Sequence, residues 1–221
     1  MLTEHYTIMK IITFLGAAII GLAVACSSST EQSSTTKDTA ELKDGTNVES
    51  AGTAEPDSSR LIIPGKQAGK IYLGQDMQEV FKLLGNASDG DAAMGSAIAI
   101  WYAKGDSTAK KDPVVIFSSY RDSNMVVKSV KQVSVAAPAF RTTAGIHTGA
   151  KLREVLAAYP KLRQSETYVN RQDSLKVYDS IKEGIAFDIK NDSCTAITIH
   201  LPGRPTNALY LSVHPGWKKL Q

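Results

Sequence analysis

Ile71-Tyr72-Leu73-Gly74-Gln75-Asp76-Met77-Gln78-Glu79-Val80 returns as Ile146-His147-Thr148-Gly149-Ala150-Lys151-Leu152-Arg153-Glu154-Val155. The shared pattern is Ile-x-x-Gly-x-x-apolar-x-Glu-Val, and the offset persists to the pair Leu84 and Tyr159. Self-similarity over such a period is the mark of one supersecondary unit used twice. Each copy opens on a helix. Met77, Val80, Phe81 and Leu84 fall at i, i+3, i+4 and i+7, which lays one apolar stripe along a helix. Asp76 is a good N-cap, Glu79 stands at the capping-box position and Gly85 is a natural stop. Leu152, Val155, Leu156 and Tyr159 repeat the stripe, and Pro160 ends it, because the residue before a proline is pushed out of helical geometry. Lys151 replaces the capping Asp76, which predicts a weaker second helix start.

Strands follow each helix. Leu175 and Val177 alternate with Lys176 and Tyr178, and Ile185, Phe187 and Ile189 with Ala186 and Asp188. Ile197, Ile199 and Leu201 alternate with Thr198 and His200, and Leu209, Leu211 and Val213 with Tyr210 and Ser212. Asn191-Asp192 and Pro202-Gly203 punctuate them as turns. The first copy is less regular, with strands expected at 96–102, 114–118 and 125–135. Period two leaves one face on a core and the other toward solvent or a partner. The expected fold is α+β: two tandem helix-plus-antiparallel-strand repeats, 60–139 and 140–221, forming a sheet with helices on one face.

Upstream of the repeats lie two segments of another kind. Ile11 to Ala25 is apolar and uncharged, too short for a comfortable bilayer span, which needs about 20 residues. It has the length of a signal-peptide core and ends in Leu22-Ala23-Val24-Ala25-Cys26. Met1 and Met9 are alternative starts, the second followed directly by Lys10. This ending resembles the signal of bacterial lipoproteins, with Ala23 a departure from the usual Leu. The resemblance implies a signal peptide over 1–25, diacylglycerol on the Cys26 sulfur and attachment to the cell envelope through that lipid. Ser27 after the cysteine, rather than Asp, implies the outer membrane by the same analogy. More than one acyl chain is needed for firm anchoring, at about 0.8 kcal/mol per buried methylene. Residues 26–59 are Ser, Thr, Ala and acidic side chains, and are expected to be a disordered tether.

Charge divides the chain. Residues 27–59 hold seven acids against two lysines, and the leader balances Glu4 with Lys10. With +3 overall, residues 60–221 carry +8. A basic body beside an anionic membrane gains about 1 kcal/mol per well-placed cation. No nucleic-acid-binding motif is present, and no nucleic-acid partner is expected. With Cys26 lipidated, Cys194 is the one remaining thiol, so no intrachain disulfide is expected. His147, His200 and His214 lack metal-ligand spacing, and neither a metal nor a cofactor is expected. Glu79 and Glu154 are read as helix-start residues rather than a catalytic carboxylate pair.

The twice-used helix and meander resembles, over residues 69–201, the β-lactamase inhibitor protein fold and the related small outer-membrane assembly lipoproteins. That likeness implies a non-enzymatic protein binder and leaves the partner unspecified. Two alternatives stay open: an inhibitor of an extracellular hydrolase, and an enzyme acting on cell-wall or glycan substrates. With Ile197, Ile199, Phe187 and Leu209 toward the helices, Lys176, Tyr178, Asp188, Thr198, His200, Tyr210 and Ser212 are expected on an open face. Trp101, Ile116, Ser118, Tyr120, Gln132 and Ser134 are expected there from the first copy. Aromatic side chains on a polar sheet face suit contact hot spots. Trp101, Tyr120, Tyr178, His200 and Tyr210 are therefore the candidate contacts for a protein or an extended envelope polymer, unless residues 203–221 cover that face.

Overall fold

Asp76 caps its helix as its chemistry demands: its carboxylate accepts from the Gln78 N–H at 2.8 Å. The helix it starts, α1 (Met77–Leu84), ends at Gly85, whose φ of 77° few other residues tolerate. The structure, a computed structural model, describes residues 57–103, 111–206, 214 and 216–220. The signal segment, Cys26 and tether residues 26–56 lie outside these, as does 207–213 with Tyr210 and Ser212.

A 3-10 turn, Ser58–Arg60, leads into β1 (Leu61–Ile63), β2 (Gln67–Ala68) and β3 (Ile71–Tyr72). Asp57 caps that turn, so the last residues of the expected tether, 57–59, have regular structure. After α1 come β4 (Asp89–Ala93), β5 (Ser96–Trp101), β6 (Val114–Tyr120) and β7 (Lys128–Val135). The short β8 (Arg141–Thr142) pairs parallel to β1. Then α2 (Leu152–Ala158) is followed by β9 (Arg163–Asn170), β10 (Asp173–Ser180), β11 (Ile185–Lys190) and β12 (Ser193–His200), with β13 (Lys218–Lys219) last. A small sheet runs β3-β2-β1-β8, and a nine-stranded antiparallel sheet runs β13-β9-β10-β11-β12-β7-β6-β5-β4. The chain is α+β in the broad sense but mostly β, with two short helices among the described residues.

Where the pattern was apolar and alternating among the described residues, strands form close to the expected places; the strand expected at 209–213 lies outside those residues. Among the strands of five or more residues, two carried no such pattern. β4 (Asp-Gly-Asp-Ala-Ala) and β9 (Arg-Gln-Ser-Glu-Thr-Tyr-Val-Asn) lie toward the margins of the large sheet, where little apolar surface is buried. The Asn191-Asp192 turn joins β11 to β12 with both residues at positive φ, 50° and 61°, as a tight hairpin of matching twist requires. Glu79 departs from expectation: it accepts from the Tyr72 hydroxyl at 3.3 Å instead of closing a capping box. Glu154 does reach back, accepting from the Lys151 backbone N–H at 2.9 Å, and Lys151 donates to Ser193 Oγ at 3.0 Å. A lysine thus holds the second helix start through its neighbours.

Both helices send part of their stripes into one cluster against one face of the large sheet, while Phe81 and Leu84 of α1 stay partly exposed. Met77 and Val80 enter from α1, Val155 from α2, with Tyr159 just beyond it. They meet Ile116, Val133, Val135, Phe187, Ile197 and Ile199. The Tyr159 and Phe187 rings lie 5.1 Å apart at a tilt of 46°. Phe187 is fully enclosed. Its truncation to alanine is expected to cost about 3–5 kcal/mol of unfolding free energy. Met125→Ala, at an exposed loop, is expected to stay within about 0.5 kcal/mol. Urea unfolding of both variants checks the core, and equal losses would contradict it.

Candidate functional site

The pairing registers decide which side chains share a face, and they correct part of the expected open face. Tyr178 stands opposite Phe187, and Val177 opposite Asp188. Tyr178 therefore packs against the helix-side core, and Lys176 shares that side. Leu175, Val177 and Ala186 form a small apolar cluster on the other face, against Tyr168 and Trp217. A shift of one residue exchanges the faces of a strand, and nothing within β10 alone sets its register. Trp101 and Ile116 are corrected in the same way. Trp101 is 8% exposed, lies on the helix side, stacks 5.8 Å from Phe81 and donates its Nε1–H to the Gly85 carbonyl at 3.1 Å. Its partner face carries Ile98, Ile100, Val115 and Phe117 instead.

His200 is on the face away from the helices, as expected, but it is not open: it is 1% exposed. Its Nε2 lies 3.0 Å from Asp179 Oδ1 and its Nδ1 3.1 Å from the Leu201 carbonyl. Both contacts are to acceptors, and a neutral imidazole can donate to only one of them. The second Asp179 oxygen accepts from the Thr206 N–H at 3.1 Å and from its hydroxyl at 3.3 Å. Asp188 faces His214 Nδ1 at 3.5 Å. Glu166 receives the Tyr168 hydroxyl and the Lys219 ammonium. Described residues of the C-terminal segment thus cover the β9–β12 half of this face, the alternative left open by the sequence. Tyr210 and Ser212 belong to that segment but lie outside the described residues.

Of the candidate contacts, Tyr120 and the buried His200 line a cavity that opens to solvent. The cavity is about 280 Å³ and sits where β6, β7 and the end of β12 meet the loop at 201–205. A β-bulge creates it. Gln132 opposes Phe117 and Val130 opposes Ser118, so Lys131 is the extra residue between them. Regular alternation would send Lys131 and Gln132 to opposite faces, but with the bulge both line the cavity. Arg204 reaches the same space from the loop. Among the described residues no carboxylate pairs with Lys131 or Arg204. Burial and the nearby Arg121 charge hold the Lys131 ammonium below the usual lysine range. Phe117, Tyr120, Leu201 and Pro205 supply apolar wall, and Lys128 Nζ sits 5.2 Å over the Tyr120 ring.

Gln132 is the polar anomaly of this site. It is buried, and its Nε2–H donates to the Thr206 carbonyl at 3.1 Å. Only the amide nitrogen can make that bond, which fixes the side-chain orientation and leaves Oε1 without a partner. Next to the cavity, sharing Ser119 and Tyr120, is a shallower depression between the β4–β5 and β6–β7 loops. Met94 and Met125 line it, 81% and 65% exposed, and Val126 beside them is 81% exposed. Both methionines hold positive φ, 48° and 52°. Such backbone is costly for a side chain with a Cβ and persists where loop geometry requires it.

The remaining candidates do not converge on this cavity. Cys194 is buried, donates to the Ala196 carbonyl at 3.5 Å, and burial with the Asp188 charge pushes its thiol up to about 12. At neutral pH it is a thiol, a poor nucleophile. His147 is hydrogen-bonded to the neighbouring Thr148 carbonyl at 2.7 Å. Among the described residues no three His, Cys, Asp or Glu side chains group as metal ligands would. Cys26 lies outside the described residues. No family model, curated protein or solved structure matches the chain.

Burial, only partly offset by His214, holds the Asp188 carboxyl above the ordinary aspartate range. As pH rises the unfolded chain ionises first. The stability this carboxyl contributes is complete below the ordinary aspartate value and is lost as pH climbs through the raised folded one. Asp188→Asn, which cannot ionise, is expected to be more stable relative to the parent at neutral than at mildly acid pH. Urea unfolding across that range reads the difference; one independent of pH would contradict it.

Proposed function

We propose that the protein is a lipid-anchored envelope protein and a non-catalytic binding module. It is held to a bacterial outer membrane through Cys26 and carried on the acidic tether. Its folded part is built from two copies of one helix-plus-meander unit. Supporting the duplication, each helix is followed by four consecutive antiparallel strands, and the last strands of the two sets, β7 and β12, pair with one another. Gly74 N–H donates to Val130 O and Gly149 N–H to Cys194 O, tying equivalent turns to equivalent strands. Asp76 bridges to Ser129 and Lys151 to Ser193 in the same sense.

The binding reading is carried by one observation. A cavity with two unpaired cations and an unpartnered buried amide oxygen adjoins an exposed methionine rim. Buried polar groups are normally paired within the protein, and exposed clustered methionine is suited to an adaptable contact surface. The contact surface expected on the whole open sheet face is thereby narrowed to the loop end of β4–β7, where Tyr120 remains.

Two outcomes test this. A photo-reactive phenylalanine at Met125 of the full chain is expected to give one adduct of discrete mass in the native cell envelope. The same group at Lys176, exposed on the other side of the sheet, is expected to give none. Absence of any adduct at Met125, or equal adducts at both positions, removes the site. Separately, Cys26→Ser is expected to move the protein from the membrane fraction to the soluble fraction. Retention of that variant in the membrane fraction would remove the lipid anchor.

A further inference from the structure

We propose that the cavity receives the carboxylate side chain of an extended acidic peptide segment from the partner, set between Lys131 and Arg204, while a peptide N–H of that segment donates to Gln132 Oε1. The inference rests on the binding-module reading and adds the chemistry of what is bound. About 280 Å³ lies just below the usual range for small-molecule pockets and suits one anchoring side chain. Two cations without a carboxylate among the described residues call for an anion, and the guanidinium fork can bind a carboxylate with two bonds. An orphaned buried acceptor calls for a donor close to that anion. A peptide carries both, with its N–H a few bonds from its acidic side chain.

The neighbouring depression fixes what comes next along such a segment. It is about 450 Å³, shares Ser119 and Tyr120 with the cavity, and presents Met94 and Met125. Asp122 lies in that depression rather than in the cavity, with its Oδ1 taken by the Asn124 N–H at 3.0 Å. The residue beside the acidic anchor is therefore apolar, since a second carboxylate there would meet Asp122.

Ligand-observed NMR titration of the full chain in detergent tests this with four probes: N-acetyl-glutamate N-methylamide, its glutamine counterpart, D-glucuronate and inorganic phosphate. The glutamate probe is expected to bind, and the glutamine probe about tenfold more weakly. Lys131→Met and Arg204→Met are each expected to lower the glutamate affinity about tenfold. Lys176→Met, a charge loss elsewhere, is expected to leave it unchanged. Thermal unfolding confirms that each variant is folded; if Arg204→Met is not, Lys131→Met and Lys131→Gln decide. The proposal is overturned by no binding of the glutamate probe, by equal binding of the glutamine probe, or by affinity unaffected at Lys131. Tighter binding of glucuronate or phosphate also overturns it, in favour of a small-oxyanion site. Should the Met125 adduct persist while the glutamate probe fails, the binding module stands and the acidic anchor falls.

Discussion

The pairing of β7 with β12 is the contact on which the rest of the molecule depends. It aligns Val135 with Ile197 and Val133 with Ile199, making one continuous apolar floor for both helices. Without it each helix would cover only a four-stranded ribbon of its own, and small cores of that size are marginal. The same register sets His200 beside Gln132 on the reverse face. One antiparallel ladder therefore builds the core on one side and brings the cavity wall together on the other. The floor is apolar and the wall polar because alternation along a strand has period two.

Much of the helix side was legible in the sequence. The stripes of Met77 and Val80 and of Leu152 and Val155 carry the 3.6-residue period, and Asp76, Gly85 and Pro160 mark their boundaries by local chemistry. Ile185 to Ile199 could be placed because the large apolar side chains of its strands fall on one face. Tyr178 and Trp101 were misplaced for a common reason. Their strands carry apolar residues on both faces, so alternation alone gives two equal readings. Only the partner strand, through Phe187 or Val114, selects one. Register is a property of pairs, and a single strand does not contain it.

The cavity was hidden for a related reason. Lys131 and Gln132 are adjacent, and a strict reading of β7 separates them. Nothing in Lys128-Ser129-Val130-Lys131-Gln132-Val133 announces the bulge that reunites them. Its cause is long-range, since Phe117 and Ser118 must both find partners. That the tail covers this face was an open alternative, but Thr206 as the residue over His200 was not readable, because it depends on a chain reversal after Pro202-Gly203 and on Asp179, far away in sequence. What was readable was the inventory: a basic body, histidines without metal-ligand spacing, and a tail able to fold back.

The two margins of the large sheet are finished differently. One is closed by the chain itself, where Lys218 and Lys219 take up the outer hydrogen-bonding positions of β9. The other is β4, whose five residues include Asp89, Asp91 and Gly90 and are mostly exposed. Gly90 is needed there, because a methyl group would lie 2.5 Å from the Ile98 carbonyl oxygen. A foreign strand adding to β4 would have to lie along two carboxylates on a short ladder, a poor template for stacking copies end on end. At high local concentration, such molecules are thus hindered from growing into fibrils by the very residues that make this strand hard to recognise.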